Sequence, residues 1–500
     1  MQRGKDVASW SQLLKGNQSK PNQLALATFS VLSIVAGGHV YYQTNIVGNF
    51  QSANDYYQWH ADYEKKYQSY RELQQPTVVA VKTNMDLYPK QRRYQIKGQY
   101  QLQNKTQQPI KDILISSDTD VNYKIMSLEN ATLIEHDKHF SQYLFKLNTP
   151  MQPQQQLTLS FSAERTHNGY NGLISDSAFT PTFIYFRDIR YMPFLGFSEH
   201  YVLNSVVKRR EFGLPELPVA LSLEQDITKY DGDFSHQLKW ATIETRLTTA
   251  ENHIAVAPGE LISHFKDDNR NVYHYKTKQP IRKIQPVLSG VFMVSERDVD
   301  GINVEVYHIE KHTKIAQEHI EAIADTLRYG NQNFGRYPYK QLRLFEVPNV
   351  FNQSGYAMPQ MMLIDEKLGF VVDRSNNQAF DHLYRRTAHE TAHQWWGHGL
   401  DSAITEGASV LVETLAVYTQ AQLLIQKYGE AYLHRFLQYE NNRYLYGRGQ
   451  SPETEKPLYR ADEKHLIYSK GTIAMNAIQK QLGANKVNEA LKLVIKKHGY

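Results

Sequence analysis

A change of hydrophobic period divides this chain and constrains its fold more than any other feature. From about Pro76 apolar positions recur at every second residue, as at Tyr94, Ile96, Gly98, Tyr100 and Leu102 and again at Leu157, Leu159, Phe161 and Ala163. Side chains of a strand point alternately to its two faces, so each run offers one face to a core and one to water. Turn-rich breaks such as Gln103-Asn104-Lys105 separate the runs. After Gly301 the period becomes helical. Ile315, Ile320, Ile323 and Leu327 recur at helix-face spacing and stop before Gly330, which predicts a helix of about four turns. A short strand over Leu342 to Val347, a loop and strand around Gly355 to Ile364, a polar turn from Gly399 to Thr405 and a long helix from Ala408 to Tyr428 follow. The expected fold is therefore multidomain: a mainly antiparallel β-sandwich-like domain over 76–295, then an α+β, mostly helical domain over 296–500. Five hundred residues exceed what one core organises, and 41% hydrophobic residues suffice for more than one.

Ahead of these domains, Leu24 to Tyr42 is a charge-free, mostly apolar run, close to the roughly 20 helical residues that cross a bilayer. Arg3, Lys5, Lys15 and Lys20 precede it against Asp6, and the twenty residues after it hold no Lys or Arg. That asymmetry puts the amino end in the cytoplasm and the remainder outside. A buried helix or a signal-peptide core would share the composition, but a polar lead of 23 residues is long for a signal peptide. Residues 1–50 are thus expected to be a cytoplasmic lead and a single span. Residues 51–75, rich in tyrosine at 56, 57, 63, 67 and 70, are expected to be a juxtamembrane helix or linker.

Composition excludes several classes. There is no cysteine, so disulfides, thiol catalysis and Cys-ligated metal are ruled out and a metal site must use His and carboxylate. The net charge of +5 is small for the length and the basic residues are scattered, which argues against nucleic acid.

The chemistry-bearing stretch is His389-Glu390-Thr391-Ala392-His393, an HExxH pentapeptide in a segment that reads as helix. Histidines four apart project from one face, where they can share a zinc ion while Glu390 reaches a water on it. A catalytic zinc takes three protein ligands and keeps a fourth position open. Glu406, Glu413 and, more weakly, His398 are candidates for the third. His398 would be turned about 140° off the ligand face if the helix continued. Glu406 lies beside Gly407 at an expected turn or helix start, where an acidic residue suits the helix dipole. Glu413 sits among Leu411, Val412, Leu415 and Ala416, where a carboxylate needs a partner.

The run HETAHQWWG over 389–397, with a glutamate on a following helix, resembles the M1 family of zinc aminopeptidases, within the thermolysin-like gluzincins. The resemblance implies Zn2+ held by His389, His393 and Glu413, with Glu390 as general base. Glu413 lies one residue farther from the second histidine than is usual there, and a one-residue insertion in the 399–405 turn would reconcile the two. Tyr468-Ser469-Lys470-Gly471 is similar to the family's tyrosine motif, whose phenol binds the oxyanion, and so implies a catalytic Tyr468. Gly355-Tyr356-Ala357-Met358-Pro359-Gln360 is the best match to the family's GAMEN-like edge strand, which makes Gly355, Tyr356, Ala357 and Met358 the expected substrate-pairing residues. Pro359 and Gln360 stand where that motif has its glutamate and asparagine. Proline offers no charge and no amide hydrogen, so strict recognition of a free amino terminus is in doubt. Trp395 and Trp396 are expected to pack the helix.

A span feeding a β domain and then this segment is similar to the M1-type module fused to bacterial ABC-transporter permeases. Together these features lead us to expect a membrane-tethered zinc metallopeptidase, aminopeptidase-like or an endopeptidase, at the cell inner membrane with its catalytic part extracytoplasmic. Its partners would be a peptide substrate, the membrane and transporter subunits; with no P-loop in the chain, a separate subunit would serve as ATPase. The alternative is a non-catalytic peptide-binding or scaffold module of an ABC transporter. Pro359 and the Glu413 spacing favour it; intact His389, Glu390, His393 and Tyr468 oppose it. The amphipathic pattern of Asn488 to Tyr500 ends almost without a tail, as expected of a truncated catalytic domain.

Overall fold

A computed structural model describes residues 20–48, 50–167, 173–174, 177–187, 191–217, 221–224, 240–348, 355–371, 380–402, 405–451 and 454–499. The expected lead with Arg3, Lys5, Asp6 and Lys15 lies outside them, as do residues 403 and 404 of the expected polar turn.

Lys20–Tyr41 is an α-helix continued by a π turn, Tyr42–Val47. Phe29, Leu32, Ile34 and Val35 are exposed along it, so it covers no folded core. By length and composition Gln23–Val47 suits a bilayer crossing, as a signal sequence also would.

The segment expected as a juxtamembrane helix or linker is a helix packed into the β domain. Ser52 and Asp55 form a capping box at the start of the helix Ala53–Tyr67. Tyr63 and Tyr67 are buried with Leu114, Phe140, Phe194 and Phe197. Glu64 meets Arg209 through two 2.7 Å hydrogen bonds, and both side chains are out of water. Tyrosine is amphipathic, so a run of tyrosines among charges carries no sign of which rings will be buried.

The large sheet of the β domain runs Glu260–Asp267, Arg270–Lys276, Trp240–Ala250, Thr77–Tyr88, Arg93–Gln103, Gln156–Thr166, Asn122–Leu128. It is antiparallel except where Thr77–Tyr88 runs parallel to Trp240–Ala250. The alternation holds as expected: Tyr94, Ile96, Tyr100 and Leu102 face the core, as do Leu157, Leu159, Phe161 and Ala163 on the paired strand. Two smaller sheets pack on the same core, which also takes in Phe345, Met358, Met361 and Leu363 from the following domain.

In that second domain the sheet order is Met293–Val299, Ile302–His308, Gln341–Val347, Met361–Asp365, Gly355–Met358. The middle three strands are parallel and Gly355–Met358 is an antiparallel edge. The helix Thr313–Asn333 joins two of the parallel strands and buries Ile320, Ile323 and Leu327 as the period requires. It runs past Gly330, where it was expected to stop. A Cβ there would lie 2.5 Å from the Trp395 ring, so this glycine serves a close helix contact rather than a helix end. The helices His382–Ala392, Leu415–Tyr428, Glu430–Gln450, Gly471–Leu482 and Ala484–His498 complete the domain.

Candidate metal centre

The helix His382–Ala392 is capped by Asp381, whose side chain accepts from Tyr384 N, and it ends one residue before the second histidine. His389 therefore lies in the last helical turn and His393 is the C-cap residue, still with helical dihedrals. Their Nε2 atoms are 3.2 Å apart. Nδ1 of His393 lies 2.9 Å from Trp396 O, so that nitrogen donates and Nε2 keeps its lone pair for a metal.

Glu413 completes the group: its Oε2 is 3.4 Å from His389 Nε2 and 3.5 Å from His393 Nε2. That oxygen is buried and has no aligned hydrogen-bond donor. Ligands roughly 2.0–2.1 Å from a tetrahedral zinc lie about 3.3–3.4 Å from one another. The triangle of 3.2, 3.4 and 3.5 Å therefore fits such an ion, which would also satisfy the orphaned oxygen.

Two other candidates fall away. Glu406 is engaged by Arg460, its backbone N–H donates to Leu221 O, and it is absent from the donor group. His398 follows the end of the helix, in a turn where its own N–H donates to His393 O, so helical phase does not place it. Its ring contacts the Ala357 backbone, and burial drives its pKa down to about 3. Glu413 lies in a π turn, Val410–Thr414, which holds one residue more than an α turn.

A second group with metal-ligating side chains, His312, Glu346 and Glu366, differs in kind. His312 Nδ1 sits only 2.6 Å from Glu346 Oε1, a direct hydrogen bond with no gap for an ion, and Lys311 already pairs with Glu366.

Around the triangle, electrostatics separate the roles of the acids. Burial works to raise the Glu413 pKa, but His389 and His393 outweigh it and hold the carboxyl well below the usual range. Burial pushes Glu390 up, with Glu413 adding to the push and the histidines and Arg386 opposing it. Burial also opposes protonation of His393, yet Glu413 and Glu390 raise it to about 9.

Tyr468 is brought to the site by another π turn, His465–Lys470, and its ring centroid is 6.0 Å from that of His389. Burial, then the negative Glu413, hold its phenol far above the ordinary value, so it stays protonated. The turn is locked in place: Thr414 Oγ1 donates to Ile467 O, and Ser469 Oγ donates to the buried Glu440 at 2.8 Å. Gly471 lets the two segments touch, since a Cβ there would lie 2.4 Å from Thr414 Oγ1.

The edge strand passes beside Glu390. An ideal Cβ on Gly355 would be 2.4 Å from Glu390 Oε1. Tyr356, Ala357 and Met358 pair with Leu363, Met362 and Met361, so the hairpin turn consists of Pro359 and Gln360. Gln360 has φ +66°, the second-corner conformation of a type II turn, for which proline at the first corner is well suited. Gln394 ties this hairpin to the metal helix: its Nε2 donates to Met358 O at 3.0 Å and its Oε1 accepts from Gln360 N at 2.9 Å. Gln360 Oε1 accepts from Gly259 N and from Gln341 Nε2. Sequence reasoning assigned no role to Gln394 or Glu440, because buried amides and acids carry no periodic signal. Trp395 and Trp396 are fully buried, their indole N–H groups donating to Gly335 O and Thr419 Oγ1, which is packing as expected.

Comparison with known proteins bears on the second domain and on the overall fold. Residues 318–500 match the profile of the peptidase family M1 domain. The fold is similar to that of the M1 zinc metallopeptidase from Deinococcus radiodurans, with a TM-score of 0.58, 15% identity, and 85% of this chain and 88% of that one covered. A mutant of the same Deinococcus radiodurans enzyme gives a TM-score of 0.57 at 14% identity, covering 85% and 87%. None of the curated proteins matches the chain.

Proposed function

We propose that this chain is a membrane-tethered zinc metallopeptidase that hydrolyses peptide bonds. The observation that carries this is the His389, His393 and Glu413 triangle, spaced as the ligands of one tetrahedral ion, with an otherwise orphaned Glu413 oxygen. Zinc held there would supply Lewis acidity toward a water and a peptide carbonyl. Glu390, with its pKa raised by burial, takes the proton of the attacking water and passes it to the leaving nitrogen. Tyr468 donates to the carbonyl oxygen as negative charge develops on it. Gly355–Met358 is the outermost strand of its sheet among the described residues, and an extended substrate would add beside it through its main chain.

Pro359 and Gln360 put no carboxylate at the hairpin corner for a substrate's amino terminus, so we expect cleavage of amino-terminally blocked peptides as well as free ones. Glu390 and Tyr468 beside the donor group favour catalysis over a scaffold role, which needs neither a base nor an oxyanion donor. The exposed apolar helix Lys20–Tyr41 supports an inner-membrane tether, and the positive lead supports an extracytoplasmic catalytic part. The similarity to permease-fused modules adds transporter subunits with a separate ATPase to the expected partners, to be sought by co-purification.

The test is zinc content by mass spectrometry on the full chain in detergent, with hydrolysis of free and blocked peptides on the same samples. The expected result is one zinc per chain, lost in Glu413→Ala, kept in Glu406→Ala, and accompanied by turnover. Zinc without turnover on either peptide would return the scaffold reading. No zinc in folded wild type would refute the proposal.

A further inference from the structure

Tyr468 is gripped on both sides, and the two grips lead to the elements that carry Glu413 and His389. On one side Ile467 O accepts from Thr414 Oγ1, and Thr414 is the residue after Glu413. On the other side Ser469 is fully buried and donates from Oγ to Glu440 Oε2 at 2.8 Å. Glu440 belongs to the helix Glu430–Gln450 and is itself out of water. Its Oε1 lies 3.7 Å from Arg385 Nη1, and Arg443, three residues along the same helix, donates to its two oxygens at 3.1 and 3.0 Å. Arg385 precedes His389 by four residues in the helix His382–Ala392, so it stands one turn ahead of that histidine on the same face.

One buried carboxylate thus joins three elements: the helix that carries His389, the helix Glu430–Gln450 and the turn that carries Tyr468. Stability alone does not account for it. A buried carboxylate with its arginines contributes little more than apolar side chains of the same volume would. What such a group adds is direction, because charge-assisted hydrogen bonds are short and fix the place of their donors. The arginines are held as well, with the Cζ atoms of Arg385 and Arg443 5.4 and 5.6 Å from the centre of the Tyr439 ring. An oxyanion donor depends on such fixing, since it stabilises only the charge that develops at hydrogen-bond distance from it.

We infer that the link from Ser469 through Glu440 to Arg385 is a positioning device for Tyr468. Glu440 takes no part in the chemistry; it holds the phenol in register with the helix that carries His389. The inference rests on the reading of Tyr468 as oxyanion donor proposed above, and it goes further in naming the residues that aim it.

Removing Glu440 would leave Arg385 and Arg443 without their shared counter-charge and destabilise the fold itself, so the link is cut at its two ends. Ser469→Ala breaks the tie to the turn and keeps the ion pairs. Arg385→Met breaks the tie to the helix of His389 and leaves Glu440 paired with Arg443. Each is made in the wild-type chain and in the Tyr468→Phe background, and kcat, KM and zinc content are measured on the full chain in detergent. The expected result is that each substitution lowers kcat roughly tenfold in wild type, with KM and zinc content unchanged. In the Tyr468→Phe background each should cost less than about twofold, because a phenyl ring has no donor to misplace. Equal losses in the two backgrounds, or a matching loss of zinc, would make the link merely structural and overturn the inference while Tyr468 remains the donor. An effect of only one of the two substitutions, or of neither, would show that no such link acts on the phenol. Full activity of Tyr468→Phe would overturn the donor reading and the inference with it.

Discussion

Adding one methyl group to Gly355 should abolish most turnover while leaving the metal in place. The edge strand passes so close to the metal helix that an ideal Cβ on this residue falls 2.4 Å from Glu390 Oε1, 2.8 Å from Cδ and 2.9 Å from Cγ. Ordinary contact begins at 3.4 Å, so in Gly355→Ala the carboxylate oxygen must retreat by 3.4 − 2.4 = 1.0 Å. The strand is held by its pairing with Met361–Asp365 and by Gln394, so the side chain rather than the backbone gives way. A catalytic group displaced by about 1 Å typically costs on the order of 100-fold in rate, or about 2.7 kcal/mol of barrier. The ligand atoms lie outside the clash, so zinc stoichiometry should equal that of wild type. The assay is single-turnover hydrolysis of a saturating peptide together with metal analysis on the same preparation. A Gly355→Ala protein that carries zinc and turns over within threefold of wild type would refute the assignment of Glu390 as the base in this position.

Tyr468→Phe removes one oxyanion donor and should lower kcat by about 100-fold, roughly 3 kcal/mol, with zinc retained and KM little changed; full activity would exclude the phenol from the chemistry. Arg209→Ala leaves Glu64 buried without its partner and should destabilise the protein by about 3–5 kcal/mol in a denaturant titration; an unchanged midpoint would mean that the Ala53–Tyr67 helix does not belong to the cooperative β domain. Burial holds the pKa of His60 and His253 below the ordinary imidazole value and that of His398 down at about 3. Since the unfolded chain protonates first, their stabilisation is complete above pH 6.5 and is lost as pH falls, at up to about 1.4 kcal/mol per pH unit for His398 alone. Zinc-loaded protein should therefore show a falling urea midpoint between pH 7 and 5, and a flat or rising midpoint would contradict the sign.

Local periodicity determined the broad plan of this protein. Alternation marked the strands Arg93–Gln103 and Gln156–Thr166, and a helical repeat marked Thr313–Asn333, because side-chain direction follows the backbone repeat wherever one face is buried. HExxH put two imidazoles on one face, since four residues make just over a helical turn. What lay beyond one element needed the tertiary structure. Sequence spacing left Glu406 and Glu413 both open; the fold settled the geometry by pairing Glu406 with Arg460 and turning Glu413 toward the histidines through a π turn. The juxtamembrane tyrosines carried no sign of which rings would be buried, and Tyr63 became core only because Phe140 and Phe197, far along the chain, close over it. Gln394 and Gln360 read as polar residues near a motif, and only folding shows them clamping the edge strand to the segment that carries His389 and His393. Backbone repeat is a local property written in neighbouring residues, whereas a buried polar partner is chosen by contacts between segments distant in sequence.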